Sequence, residues 1–118
     1  MVAGTYNDVI EQGSTFNRTY TLKDANGNPV DITGYRADLQ IRSDYAASTT
    51  ILSASTESNY LSIPTGTDGV ISLSVPATVT SALDFDIGVY DLEISQVTGE
   101  VDRLVMGTMT LSKEVTRQ

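Results

Sequence analysis

The stretch Asp86-Ile87-Gly88-Val89-Tyr90-Asp91-Leu92 decides the fold of this chain. It places an Asp-x-Gly-x-Tyr motif at the start of a run in which apolar and polar residues alternate. In immunoglobulin-type sandwiches a tyrosine here sends its hydroxyl back to the backbone of the preceding corner, and the residue two positions later faces the core. That residue is Leu92 here, where an antibody domain has a cysteine. The stretch predicts an all-β, immunoglobulin-like antiparallel β-sandwich with Asp86, Gly88 and Tyr90 as its structural corner.

The same two-residue period recurs along the chain. It runs through residues 15–23, 35–42, 70–75, 90–95 and 101–111, and turn signals such as Asn26-Gly27 and Thr98-Gly99 separate some of these runs. The weaker segment 43–67 adds short strands near residues 51–52 and 60–63. Pro76 to Leu83 is long enough for a helical turn. We therefore expect about seven to nine strands and one short helical turn.

Gly107 lies on the inward face of the last predicted strand. A glycine at such a position admits either a β-bulge or the ring of a neighbouring aromatic residue, because it has no side chain. We expect one of these two features at Gly107.

Length and composition predict a single domain spanning residues 1–118, with a mobile N-terminal arm at 1–12 and a mobile C-terminal tail at 112–118. The chain has no Cys, His or Trp, so a disulfide framework and a Cys/His zinc site are excluded. Its formal net charge of −8 disfavours nucleic acid as a partner. The sequence shows neither a membrane-spanning apolar run nor a signal peptide, so we expect the mature chain to be the whole chain.

Carboxylates offer two weak candidates for chemistry. Asp24, Asn26 and Asn28 match the first ligand positions of a calcium loop, but Pro29 and Tyr35 stand where its Gly and closing Glu belong, so a hairpin turn is the better interpretation. The acidic cluster at residues 84–93 falls on a turn and a polar strand face. With no histidine, the familiar Ser-His-Asp triad is also excluded. We expect no enzymatic activity, no cofactor and no metal.

Four residues are candidates for contact with a partner. Arg18 is the one charged residue on an otherwise apolar strand face, so it either extends to water or pairs with a carboxylate from the opposite sheet, and partner binding is the third alternative. Tyr6, Tyr45 and Tyr60 fall in predicted exposed loops, where a tyrosine ring can stack on a sugar or pack at a rim.

Three segments carry a resemblance to a known family: residues 10–42 (IEQGSTFNRTYTLKDANGNPVDITGYRADLQIR), 69–94 (GVISLSVPATVTSALDFDIGVYDLEI) and 99–117 (GEVDRLVMGTMTLSKEVTR). Together they resemble small virion-associated proteins of tailed bacteriophages and the N-terminal domains of baseplate and tail-fibre adaptor proteins. The resemblance implies an immunoglobulin-like module that attaches to a ring, capsid or fibre by protein–protein contact. It implies no catalytic residue.

From this resemblance we expect a structural phage virion protein of the tail, baseplate or fibre attachment region, present in multiple copies or as a homo-oligomer. A capsid decoration protein that contacts the major capsid protein through its terminal segments is the first alternative. A glycan-binding sandwich that uses Tyr6, Tyr45 or Tyr60 is the second. We expect location in the virion, with neither nucleic acid nor membrane as a partner.

Overall fold

A computed structural model describes residues 4–58 and 60–116, which form two packed sheets. The large sheet has the order β1-β9-β8-β4-β5, with β2 also paired to β9, and the small sheet has the order β3-β7-β6. The described strands are β1 (Gly4–Thr5), β2 (Asp8–Glu11), β3 (Phe16–Thr21), β4 (Arg36–Arg42), β5 (Leu52–Ser55), β6 (Leu61–Ser62), β7 (Val70–Val75), β8 (Ile87–Ser95) and β9 (Val101–Ser112).

The core lies between the two sheets, and strict alternation of residues builds it. In β4 the residues Ala37, Leu39 and Ile41 are fully buried, while their sequence neighbours are exposed or half-buried. Strands β7 and β8 alternate in the same way. Leu92, at the position of the antibody cysteine, is fully buried, and such a side chain contributes about 1.5–3 kcal/mol through burial. The predicted inward faces of these strands are confirmed.

The N-terminal strands are parallel to β9, so the prediction of a wholly antiparallel sandwich was wrong at this edge. Asp8 lies opposite Met109 and Ile10 opposite Leu111 in a parallel register, and Gly4 lies opposite Val105. The chain leaves β2 through a tight turn, in which Ser14 N–H donates to Glu11 O, and enters β3 of the small sheet. Parallel pairing of distant segments leaves no local turn signal in the sequence.

The N-terminal segment bonds to β9, and the segment that follows β9 bonds back to the N-terminal segment. Tyr6 N–H donates to Met106 O, and Gln12 N–H donates to Ser112 O, each at 2.9 Å. Glu114 N–H donates to the Gln12 side chain. These bonds hold residues 4–12 and 112–114 against the sandwich, and the mobility of the two segments stays a prediction. Residues 1–3 of the predicted arm and 117–118 of the predicted tail lie outside the described residues.

The helical turn expected between Pro76 and Leu83 is present as α1 (Ala77–Thr80), with Pro76 as its N-cap residue. The buried Thr80 hydroxyl donates to Ser14 O and accepts from Gly13 N–H, which ties α1 to the turn between β2 and β3. The described residues also contain a 3-10 turn at Gly66–Asp68, which the sequence analysis did not predict.

A β-bulge interrupts β9 at Leu104, three residues before Gly107. Leu92 lies opposite Val105, whereas the next residue, Glu93, lies opposite Arg103, so Leu104 is the extra residue. Gly107 itself stays in register with Tyr90. Of the two features expected at Gly107, the bulge lies instead at Leu104, and the atoms nearest Gly107 belong to the backbone of Tyr6 and the side chain of Asn7, not to an aromatic ring. Among the described residues, no helix is long and apolar enough to cross a membrane.

Candidate interaction surface

The structural corner joins distant strands. Tyr90 is buried, and its hydroxyl donates to Tyr6 O at 2.7 Å, between β1 and β2. The prediction that this hydroxyl bonds the preceding corner was wrong. Gly107 explains the difference, because a Cβ at this position would overlap Tyr6 O. The N-terminal segment therefore lies close over Gly107 and brings its carbonyl to Tyr90. Burial raises the pKa of the Tyr90 phenol above its usual range.

Asp86 and Gly88 support the same corner by other means. The Asp86 side chain is exposed and lies 3.2 Å from Lys113 Nζ, and this contact raises the pKa of Lys113. Asp86 O accepts from Leu111 N–H. Gly88 permits close packing, because a Cβ there would lie 2.7 Å from Arg42 O. The three motif residues therefore hold strands together.

Arg18 forms a bidentate ion pair between the two sheets. Its Nε and Nη2 atoms donate to the two carboxylate oxygens of Asp8, each at 2.8 Å. Arg18 lies on β3 of the small sheet and Asp8 on β2 of the large one. The Asp8 side chain is 4% exposed and that of Arg18 is 35% exposed. Of the alternatives left open by the sequence, the structure places Arg18 opposite a carboxylate from the other sheet.

The surroundings of this pair strengthen it. The guanidinium lies 4.3 Å from the centre of the Phe16 ring, and Asp8 also accepts from Val9 N–H. The hydrogen bonds that Arg18 donates to Asp8 raise the pKa of Arg18. Burial, with a smaller effect from the Asp8 charge, raises the pKa of Tyr20 to about 12. The pair therefore serves chiefly to connect the sheets.

A groove of about 380 Å³ lies on the outer face of the large sheet. Its walls include Asp91 and Arg103, which are 3.3 Å apart, and its rim includes Tyr45, which is 77% exposed. Arg42 extends over the same face and donates to Gln40. The groove is polar and carries both positive and negative side chains. Its one exposed aromatic ring is that of Tyr45, since Tyr90, which also borders it, is buried.

The three candidate tyrosines lie on different elements. Tyr45, in the loop between β4 and β5, lines the groove. Tyr6, between β1 and β2, is half-exposed, and its backbone is used by Tyr90 and β9. Tyr60 precedes β6 in the small sheet and packs against the core. Of the three, Tyr45 alone contributes to this groove.

The carboxylates that the sequence raised as candidates act within the fold. Asp24 accepts hydrogen bonds from the N–H groups of Asn26 and Asn28, which shapes the hairpin turn. Asp84 and Asp86 both face Lys113. Over residues 4–58 and 60–116, no three His, Cys, Asp or Glu side chains come together as a metal site would require.

The free edge that β3 gives to the small sheet was not predicted from the sequence. β3 pairs with β7 on one side and has no strand on the other in the described chain. The outward side chains Asn17, Thr19 and Thr21 are exposed. Their alternation with Phe16 and Tyr20 was visible in the sequence, but an edge strand and a central strand share that pattern.

Comparison with known proteins supports the fold alone. No family model matches the sequence, and no curated protein matches it significantly. A chain of a crystal structure described as chicken TCR superposes with a TM-score of 0.54 at 11% identity. The match covers 98% of this chain and 56% of that chain, so this chain spans little more than half its length. The protein is an immunoglobulin-like β-sandwich.

Proposed function

We propose that the chain is a structural, non-enzymatic virion protein of a tailed bacteriophage, which acts by protein–protein contact in the tail, baseplate or fibre attachment region. The sequence resemblance to phage virion proteins supports the assignment to a virion. The immunoglobulin-like fold is compatible with it, since this fold hosts many unrelated functions.

The observation that carries the contact function is the free edge of β3. The outward N–H and C=O groups of Thr19 and Thr21 have no partner among the described residues, whereas Asn17 O accepts from Arg18, and the ion pair of Arg18 and Asp8 is used within the fold. An unpaired edge is a template for another chain, and natural proteins usually protect such edges. A protein that functions inside an assembly benefits from keeping one open.

Repetition in a symmetric particle strengthens this mode of attachment. Each added strand contributes only a few hydrogen bonds, each worth about 0.5–1.5 kcal/mol net. Multiple copies convert weak contacts into stable attachment through avidity. We therefore propose other virion proteins as partners and multiple copies per particle.

Mass spectrometry of purified particles tests the proposal. Particles of the phage or prophage that encodes the chain are separated into heads and tails before digestion. Peptides confined to tails support the tail, baseplate or fibre location. Peptides confined to heads make the chain a capsid decoration protein, which is the alternative within the virion. Absence from both fractions refutes the virion assignment.

The groove beside Tyr45 favours a second candidate function, glycan binding. A single exposed ring above polar and charged groups matches what stacking and hydrogen bonding to a sugar require. A glycan-array signal that Tyr45→Ala abolishes supports this function. Tyr60→Ala is the matched control, because Tyr60 packs against the core away from this groove. Silence across the array with the unmodified chain removes the candidate.

A further inference from the structure

We propose that β3 receives an extended segment of a partner protein by strand addition, and that this segment carries a lysine or arginine opposite Glu11. The inference rests on the proposed contact function and specifies its surface and the chemistry of its partner. The surface consists of the free β3 edge and the groove that lies between β2 and β3.

The register of the small sheet shows which backbone groups are free. Leu22 N–H donates to Gly69 O at 2.7 Å, in register with the pairing of Phe16 and Val75. In an antiparallel pair, the backbone N–H and C=O groups of every second residue bond the same neighbouring strand. The backbone groups of the even-numbered residues of β3 therefore point toward β7. The N–H and C=O groups of Thr19 and Thr21 therefore point away from the sheet, and no described residue bonds them.

Apart from Asn17 O, which accepts from Arg18 Nη1 at 2.8 Å, this edge lacks the protection found elsewhere in the molecule. β3 has six residues in unbroken register, without proline or bulge, and its outward side chains are neutral. By contrast, β6 has two residues, and β5 has four with Ser55 N–H bonded to the Ser58 side chain. Short strands and local caps are the usual means of preventing edge pairing. Among the described sheet edges, β3 is the longest, and its open part is the backbone of Thr19 and Thr21.

The adjoining groove supplies contacts for alternate side chains of the added strand. It encloses about 330 Å³ and is lined by Val9, Glu11, Ser14, Thr15, Phe16 and Arg18. A strand beside β3 directs every second side chain to the inward face of the sheet, where this groove lies. Val9 is 45% exposed and borders the groove, so small apolar side chains fit there.

Charge identifies the remaining feature of the partner. Arg18 and Asp8 neutralise each other, whereas Glu11 is exposed and makes no ion pair with a described residue. The whole chain carries a net charge of −8. A cationic side chain in the added segment therefore meets an uncompensated carboxylate and benefits from the overall field.

A labelled heptapeptide with one polar and one mainly apolar face tests the inference on the full chain. The probe is fluorescein-labelled Thr-Val-Thr-Lys-Thr-Val-Thr, in which the lysine shares a face with the valines and so enters the groove that Glu11 and Val9 line. Binding is followed by fluorescence anisotropy. We expect saturable binding and at least tenfold slower hydrogen exchange at the Thr19 and Thr21 amides. Unchanged exchange at both amides under saturating peptide overturns the proposal. This measurement needs no variant, so it does not depend on how any variant folds.

Proline substitution separates edge pairing from other binding. Thr19→Pro removes an outward N–H without removing a bond to β7, and we expect at least tenfold weaker peptide binding. Ser53→Pro is the matched control, since Ser53 is exposed on the free edge of β5 with its amide pointing away from β4. If the two substitutions weaken peptide binding equally, or if neither weakens it, the peptide does not pair with β3.

Charge reversal tests the partner's chemistry. Glu11→Lys is expected to reverse the preference between the lysine probe and a probe with glutamate in the same position. An unchanged preference overturns the assignment of Glu11. A different outcome is that the chain dimerises in a concentration-dependent way that Thr19→Pro abolishes. That result shows that a second copy of the chain occupies the β3 edge, and it overturns the proposal of a different partner protein. Failure of strand addition leaves the particle mass spectrometry unaffected, so the two proposals fail separately.

Discussion

Replacement of Arg18 by leucine is the sharpest test of how the two sheets are held together. The substitution keeps an apolar stem against Phe16 and removes both hydrogen bonds to Asp8. The Asp8 carboxylate, with a side chain only 4% exposed, then retains the N–H of Val9 as its hydrogen-bond donor among the described residues. A buried charge without its partner is strongly destabilising.

The expected magnitude follows from the geometry. Breaking a fully buried pair costs about 3–5 kcal/mol. Because Arg18 is 35% exposed, water reaches its site and replaces part of the lost interaction. We therefore expect Arg18→Leu to lower the free energy of unfolding by about 2–3 kcal/mol. In a domain of this size that corresponds to a fall in Tm of roughly 10 °C.

Urea denaturation of the unmodified chain and three variants provides the assay. Adding Asp8→Asn to Arg18→Leu removes the buried charge. The free energy of unfolding of the double variant is therefore expected to exceed that of Arg18→Leu by at least about 1 kcal/mol. Arg36→Leu is the matched control. Arg36 also lies 2.8 Å from a carboxylate, that of Asp38, but Asp38 is 34% exposed where Asp8 is 4% exposed, so the free energy of unfolding should hardly change. A loss below about 0.5 kcal/mol for Arg18→Leu would falsify the reasoning and show that the arginine extends to water.

Three further outcomes test the contacts of Tyr90 and Gly107 and the burial of Tyr20. Tyr90→Phe leaves Tyr6 O without its donor and should cost about 1–2 kcal/mol in urea denaturation, whereas no loss contradicts a structural role for that bond. Gly107→Ala places a methyl group against Tyr6 O and should speed hydrogen exchange across Asp8–Glu11, and unchanged exchange there contradicts the close approach. Ultraviolet titration should show Tyr20 ionising near pH 12. The pKa of Tyr20 in the folded chain exceeds the usual 10, so the stability that neutral Tyr20 contributes is complete below pH 10 and is lost as the pH rises toward 12. Ionisation of Tyr20 near pH 10 would contradict its burial.

Local pattern determined most of the strands. Alternation over residues 35–42 and 70–75 predicted both the strands and their inward faces, because the side-chain direction in a strand repeats every two residues regardless of what it pairs with. The Asp-x-Gly-x-Tyr stretch predicted the sandwich class through the alternation that it begins, although the hydroxyl of its tyrosine bonds Tyr6 and not the preceding corner. The helical turn after Pro76 was predicted from residues in direct succession.

The tertiary structure decided which distant residues meet. The parallel alignment of β2 with β9, the choice of Asp8 as the partner of Arg18 and the bond from Tyr90 to Tyr6 join segments that are separated in the chain. Whether β3 lies at an edge is equally invisible in its own residues, because the pattern of a strand records which face is buried and not which neighbour is absent. The sequence by itself therefore determined the faces of the sheets. Pairing across long loops determined the ion pair, the corner bond and the open edge on which the proposed contact depends.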